Sequence, residues 1–104
     1  MSTNKSFSTE TSERYSRALF EVSSDANELD KVENDVKKFQ LLLDSSQEIK
    51  NFIKDPTQSK SLQNKVINLF SDKLEFSKNL KKFFLLLIEK RRIFFIKKIF
   101  KSFV

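Results

Sequence analysis

The chain has 104 residues, 20 Lys and Arg against 14 Asp and Glu for a net charge of +6, and no His, Cys or Gly. That excludes the usual general base, thiolate nucleophiles, disulfides, His/Cys zinc sites and glycine-rich phosphate cradles. The length suits one domain with a modest core, and no pair of Asp, Glu, Lys or Tyr residues sits in an apolar context that would shift a pKa toward neutrality, so neither catalysis nor a metal or cofactor is expected.

Apolar residues recur at intervals of three and four almost throughout, without sustained two-residue alternation, so the expected fold is all-α. Residues 1–11 are mostly polar, with Phe7 the one large apolar side chain, and are expected to be a disordered tail. They lack the apolar stretch of a secretory signal. The longest apolar run, Phe83 to Ile88, is too short to cross a bilayer.

The first helix is expected over residues 12–24, with Tyr15, Ala18, Leu19 and Val22 at i, i+3, i+4 and i+7. Phe20 lies well off this stripe, which predicts apolar contact on a second side. Asp25 followed by Glu28 and Leu29 reads as the cap of a second helix. Its stripe is Leu29, Val32, Val36, Phe39 and Leu43, the spacing of a helix packed lengthwise in a bundle. Ser45-Ser46-Gln47-Glu48 supplies a capping box for a short third helix bearing Ile49, Phe52 and Ile53. Pro56 ends it, and residues 55–58 are expected to turn. A fourth helix, residues 59–71, carries Leu62, Val66, Leu69 and Phe70.

From Phe76 onward the chain becomes densely apolar and basic. Residues 78–104 hold Lys78, Lys81, Lys82, Lys90, Arg91, Arg92, Lys97, Lys98 and Lys101 against Glu89 alone. The fifth helix has its main stripe at Phe76, Leu80, Phe83 and Leu87, flanked by Phe84 and Ile88. Leu85 and Leu86 fall outside it, which suits either a helix buried all round or one wall of a groove for a partner. A sixth helix, residues 93–103, uses Ile93, Ile96, Ile99, Phe100 and Phe103, broadened by Phe94 and Phe95.

Together these pieces resemble the N-terminal domain of the delta subunit family of F-type ATP synthase, called OSCP in mitochondria. Tyr15 to Val22 is similar to the family's opening Tyr-Ala-x-Ala-Leu-Phe-x-Val. Asp55-Pro56-Thr57 resembles its Asn/Asp-Pro-Thr turn, and Leu87 to Ile93 resembles its Leu-Ala-Glu-Asn-Gly-Arg-Leu. Lys90 and Arg91 replace Asn-Gly, so the break between the last two helices must be made without glycine. The resemblance implies a compact six-helix bundle over residues 12–104, without the family's second, stalk-binding domain through which subunit b is contacted. It also implies a non-catalytic stator subunit that supports proton-driven ATP synthesis by holding the N-terminal helix of an alpha subunit between the first and fifth helices. The carried-over groove residues are Tyr15, Ala18 and Leu86, with Leu19, Val22 and Phe83 beside them. The implied location is peripheral, on the cytoplasmic face of a bacterial inner membrane or its organellar equivalent. The alternative from composition alone is a small basic helical module that binds nucleic acid or an anionic membrane surface through residues 78–104.

Overall fold

The computed structural model describes the backbone of residues 7–103 and the side chains from Thr9 to Phe103. Six α-helices follow one another: α1 (Phe7–Asp25), α2 (Leu29–Ser45), α3 (Gln47–Lys54), α4 (Lys60–Lys73), α5 (Lys78–Glu89) and α6 (Ile96–Phe103), with one 3₁₀ turn, Ile93–Phe95, leading into α6. No strand occurs among the described residues. The all-α, six-helix expectation holds. The first helix nevertheless begins at Phe7, five residues before its expected start, so the expected tail is helical over residues 7–11, with Thr11 fully buried. Residues 1–6 lie outside the described residues.

The centre of the bundle is aromatic. Phe39 of α2 meets Phe84 of α5 with ring centroids 4.9 Å apart and Phe100 of α6 at 5.7 Å. Phe84 and Phe100 also meet edge to face at 5.7 Å. These separations suit the quadrupole of a phenyl ring, which favours tilted and T-shaped pairs. Val32, Val36, Leu80, Leu87, Ile88, Ile96 and Ile99 close around the three rings, all essentially inaccessible to solvent. The predicted stripes of α2, α5 and α6 therefore do face the core, Leu29 of α2 and Phe103 of α6 being only partly covered.

Two predicted faces are corrected. On α4 the buried positions are Gln63, Ile67 and Ser71, at i, i+4 and i+8, whereas Leu62 and Leu69 are 42% and 53% exposed. α4 packs mainly on α5, so a single narrow face is covered and Ile67 occupies it. On α1 the buried line runs through Ser12, Ser16, Leu19 and Ser23. This helix packs most extensively on α6. Hydroxyl side chains take little room there, and Ser23 satisfies its buried hydroxyl by donating to the Leu19 carbonyl at 2.7 Å. The off-stripe Phe20 packs edge-on against Phe103 of α6 at 6.5 Å, the expected second contact.

The helix caps also move. Asp25 is the last residue of α1, not a cap for α2. α2 starts after Glu28, which makes no side-chain capping bond. For α3 the capping residue is Ser46, one position beyond Ser45, and its hydroxyl accepts from the Ile49 N–H at 3.3 Å. Ser59 and Ser77 cap α4 and α5 in the same way. The turn at Pro56 is as expected: the Asp55 carboxylate accepts from the Thr57 N–H at 2.9 Å and from its hydroxyl at 2.6 Å. The Thr57 hydroxyl bond, then the Thr57 backbone bond, holds the Asp55 carboxyl below its ordinary pKa.

Without glycine, the left-handed residue that closes a helix must be something else. Asn27, Glu75 and Arg91 take φ of 57°, 53° and 59° after α1, α4 and α5. Each is followed by the long-range bond of a Schellman motif: Glu28 N–H to Ser23 C=O, Phe76 N–H to Ser71 C=O, and Arg92 N–H to Leu87 C=O. The break after α5 is thus the ordinary one with arginine in the glycine position. Its Nη1 donates to the Gln58 carbonyl at 2.8 Å.

Asp35 of α2 is fully buried, and its carboxylate accepts from the Ser77 backbone N–H at 2.8 Å and from Lys31 Nζ at 3.1 Å. Lys31 also donates to the Glu75 carbonyl at 2.7 Å. One carboxylate thereby fixes the α4–α5 turn and the first residue before α5. Replacing it with alanine strands a buried N–H, so Asp35→Ala is expected to cost about 2–3 kcal/mol, read as a lowered denaturant midpoint. Glu75→Gly relieves the left-handed strain of a solvent-exposed residue and is expected to raise stability by roughly 0.5–1 kcal/mol in the same assay.

Candidate functional site

Amphipathicity gives α1 two faces: the serine line turned inward, and the apolar stripe Tyr15, Ala18, Leu19 and Val22. Only part of that stripe is covered. Leu19 is 1% exposed, yet Val22 is 48% exposed and Ala18 is open to solvent. Opposite it on α5, Phe83 is 7% exposed and Leu86 45%. The two helices leave a groove of 240 Å³ lined by Ala18, Leu19 and Val22 from α1 and by Asn79, Lys82, Phe83 and Leu86 from α5. Leu19 and Phe83 form its floor, while Ala18, Val22 and Leu86 form its walls.

Tyr15 does not line this groove. Its ring, half-buried, meets Phe83 edge-on at 6.3 Å and so supports the floor from beside it. Five of the six residues carried over in the sequence reading are brought together around one cavity, and Tyr15 stands just behind. Leu85 is half-buried and belongs to the core side, which leaves Leu86 as the groove leucine. Asn79 and Lys82 were missed. They sit four and one positions before Phe83, on the same face of α5, a placement that helical spacing implies although both side chains are polar.

The arrangement of α5 follows from its start. Ser77 caps the helix and is itself held by Asp35, so Asn79 is placed where its Nδ2 donates to the Glu28 carboxylate at 3.0 Å. Glu28 follows the C-terminus of α1. Tyr15 thus lies near Phe83, and Glu28, just beyond α1, lies near Asn79, so the groove sits where α1 meets α5.

Chemically, the groove can bury apolar surface and little else. Among the described residues no three His, Cys, Asp or Glu side chains are grouped as a metal site. Three clefts among the described residues are larger. One of 470 Å³ lies between α2 and α6, lined by Lys37, Gln40, Leu41, Leu43, Asp44, Lys97 and Lys101. A second, of 430 Å³, holds Glu13, Arg17, Phe20 and Phe103, and a third, of 290 Å³, is lined by Lys54, Phe94, Phe95, Lys97 and Lys98. In each of them more than half of the lining residues are charged or polar, whereas five of the seven groove residues are apolar. An apolar groove between two helices is the kind of surface that accepts an amphipathic helix.

The family model described as ATP synthase delta (OSCP) subunit matches residues 11–104. Among curated relatives, the ATP synthase subunit delta of Pelagibacter ubique (strain HTCC1062) is 41% identical over 104 residues, covering all of this chain and 56% of that protein. The ATP synthase subunit delta of Rhizobium meliloti (strain 1021) is 34% identical over 91 residues, 88% of this chain and 48% of that protein. The chain thus spans about half the length of the relatives it matches.

Floor and walls should separate under mutation. Leu19→Ala and Phe83→Ala remove buried packing and are expected to cost about 2–4 kcal/mol in denaturant unfolding. Val22→Ser and Leu86→Ser are expected to change stability by less than about 0.5–1 kcal/mol, because the lost side chains are half in water already.

Proposed function

The chain belongs to the ATP synthase delta (OSCP) subunit family, and from that premise we propose that it is a non-catalytic stator subunit of an F-type ATP synthase, holding the catalytic head by gripping the N-terminal helix of an alpha subunit. The observation that carries this reading is the α1/α5 groove, in which Ala18, Val22 and Leu86 expose apolar surface above a floor of Leu19 and Phe83. Hydrophobic side chains left open on two neighbouring helices lower the free energy of an apolar helix laid between them, by roughly 25 cal/mol for each Å² buried. Ala18 contributes no bulk beyond Cβ, so the incoming backbone can approach α1 closely.

The role is mechanical. A rotary motor requires a head that does not turn with its rotor, and a grip on the head passes that torque to the stator. No helix among the described residues is long and apolar enough to cross a membrane. In this reading association with the membrane is indirect, through the complex, on the cytoplasmic face in bacteria or the equivalent organellar face. The contact with the peripheral stalk, subunit b, lies in this reading within the half of the relatives' length outside the match.

The basic surface offers a second reading, binding of nucleic acid or anionic lipid, and the placement of its charges weighs against it. Lys82 borders the groove, Arg91 binds the α3–α4 turn, Lys81 pairs with Asp72 at 3.5 Å, and Lys97 and Lys101 face α2. Cations spread over several faces do not make one continuous anion-binding surface.

Titration calorimetry with a synthetic peptide of the cognate alpha subunit's N-terminal segment tests the proposal. One-to-one binding with a negative heat-capacity change and weak salt dependence is expected. Ala18→Asp places a carboxylate in the apolar trough and is expected to weaken binding by about 2 kcal/mol, roughly thirtyfold, while circular dichroism stays helical. A folded chain that ignores the peptide but binds DNA or anionic vesicles with steep salt dependence would reverse the order of the two readings.

A further inference from the structure

Building on the groove reading, we propose that Lys82 makes the groove selective for a helix that carries a carboxylate beside its apolar stripe. Asn79, Lys82, Phe83 and Leu86 stand at i, i+3, i+4 and i+7 of α5, one face of the helix. Lys82 is the only charged side chain of the seven that line the groove. It is exposed and has no ion-pair or hydrogen-bond partner among the described residues. Its neighbours are engaged elsewhere: Lys81 pairs with Asp72 at 3.5 Å, and Asn79 donates to Glu28 at 3.0 Å. The opposite wall offers Ala18, Leu19 and Val22, none of which can answer the ammonium.

An apolar helix settling on Phe83 and Leu86 covers the methylenes of Lys82 and strips water from part of its ammonium. Unanswered, that desolvation opposes docking. A carboxylate on the flank of the incoming helix offsets it and adds attraction during the approach, whereas a Lys or Arg at that place is repelled. The Glu28 carboxylate lies at the Asn79 end, near the C-terminus of α1. An acidic group thus stands just outside one end of the groove, and the incoming carboxylate belongs opposite Lys82 and away from Glu28. The partner is an acidic-flanked amphipathic alpha-subunit helix.

The test uses the whole chain and two peptides: the N-terminal segment of the cognate alpha subunit, and a copy with every Asp and Glu replaced by Asn and Gln. Wild type is expected to bind the native peptide about fivefold tighter than the neutral copy, the size of a rim ion pair. Lys82→Met is expected to remove that preference and Lys82→Glu to invert it, with helical content unchanged because the side chain is exposed. Equal binding of both peptides by wild type, or one preference shared by all three chains, overturns the charge inference and leaves the groove standing. Failure of both peptides to bind folded wild type overturns the groove reading, and this inference with it.

Discussion

The bond from the Ser77 N–H to the buried Asp35 carboxylate is the constraint on which the rest of the structure depends. A carboxylate away from water must be answered by donors, and Asp35 has two, the backbone of Ser77 and the ammonium of Lys31. Lys31 extends the arrangement by donating to the Glu75 carbonyl, so α2, the α4–α5 turn and the cap of α5 are held as one unit. α5 supplies Leu80, Phe84, Leu87 and Ile88 to the core and Asn79, Lys82, Phe83 and Leu86 to the groove. Fixing its first residue sets the rotation of both faces, since a helix that slips by one residue turns by about 100°.

A glycine-free chain must also make its corners with residues that resist the left-handed conformation. Asn27, Glu75 and Arg91 do so, each at a cost of about 1 kcal/mol or more for the two that lack asparagine's tolerance of that region. The surrounding bonds hold them there. The Glu75 carbonyl is tied to Lys31, the Arg91 guanidinium to Gln58, and the residue after Asn27 to Asn79. Strain at the corners is thereby coupled to contacts between elements distant in sequence. The same contacts align α1 with α5, which determines whether an apolar groove exists between them.

The groove results from a division of labour on α1. Serines turned toward the bundle make room for α6, and the hydrophobic stripe is left to the other side, half covered by Phe83. In an isolated fold that exposure costs stability and gains nothing. Under the proposed grip on another chain it is the working surface, and its free energy is recovered on docking.

Much of this was legible in the sequence. Intervals of three and four determined that the chain is helical, and Pro56 with Thr57 determined where α3 turns, because φ of a proline and the reach of an aspartate are local properties. The stripes of α2, α5 and α6 were readable since each helix has one dominant apolar face, and the order of motifs was enough to indicate the family and five of the groove residues. Other features depended on partners. The extension of α1 to Phe7 rests on Thr11 and Ser12 being covered, the choice of Ile67 over Leu62 and Leu69 rests on α4 meeting chiefly α5, and Arg91 as a helix terminator is backed by Gln58 across a turn. Spacing specifies which side chains share a face of a helix; only the tertiary structure decides whether that face meets the core, a neighbour or water, because burial is a property of what packs against it.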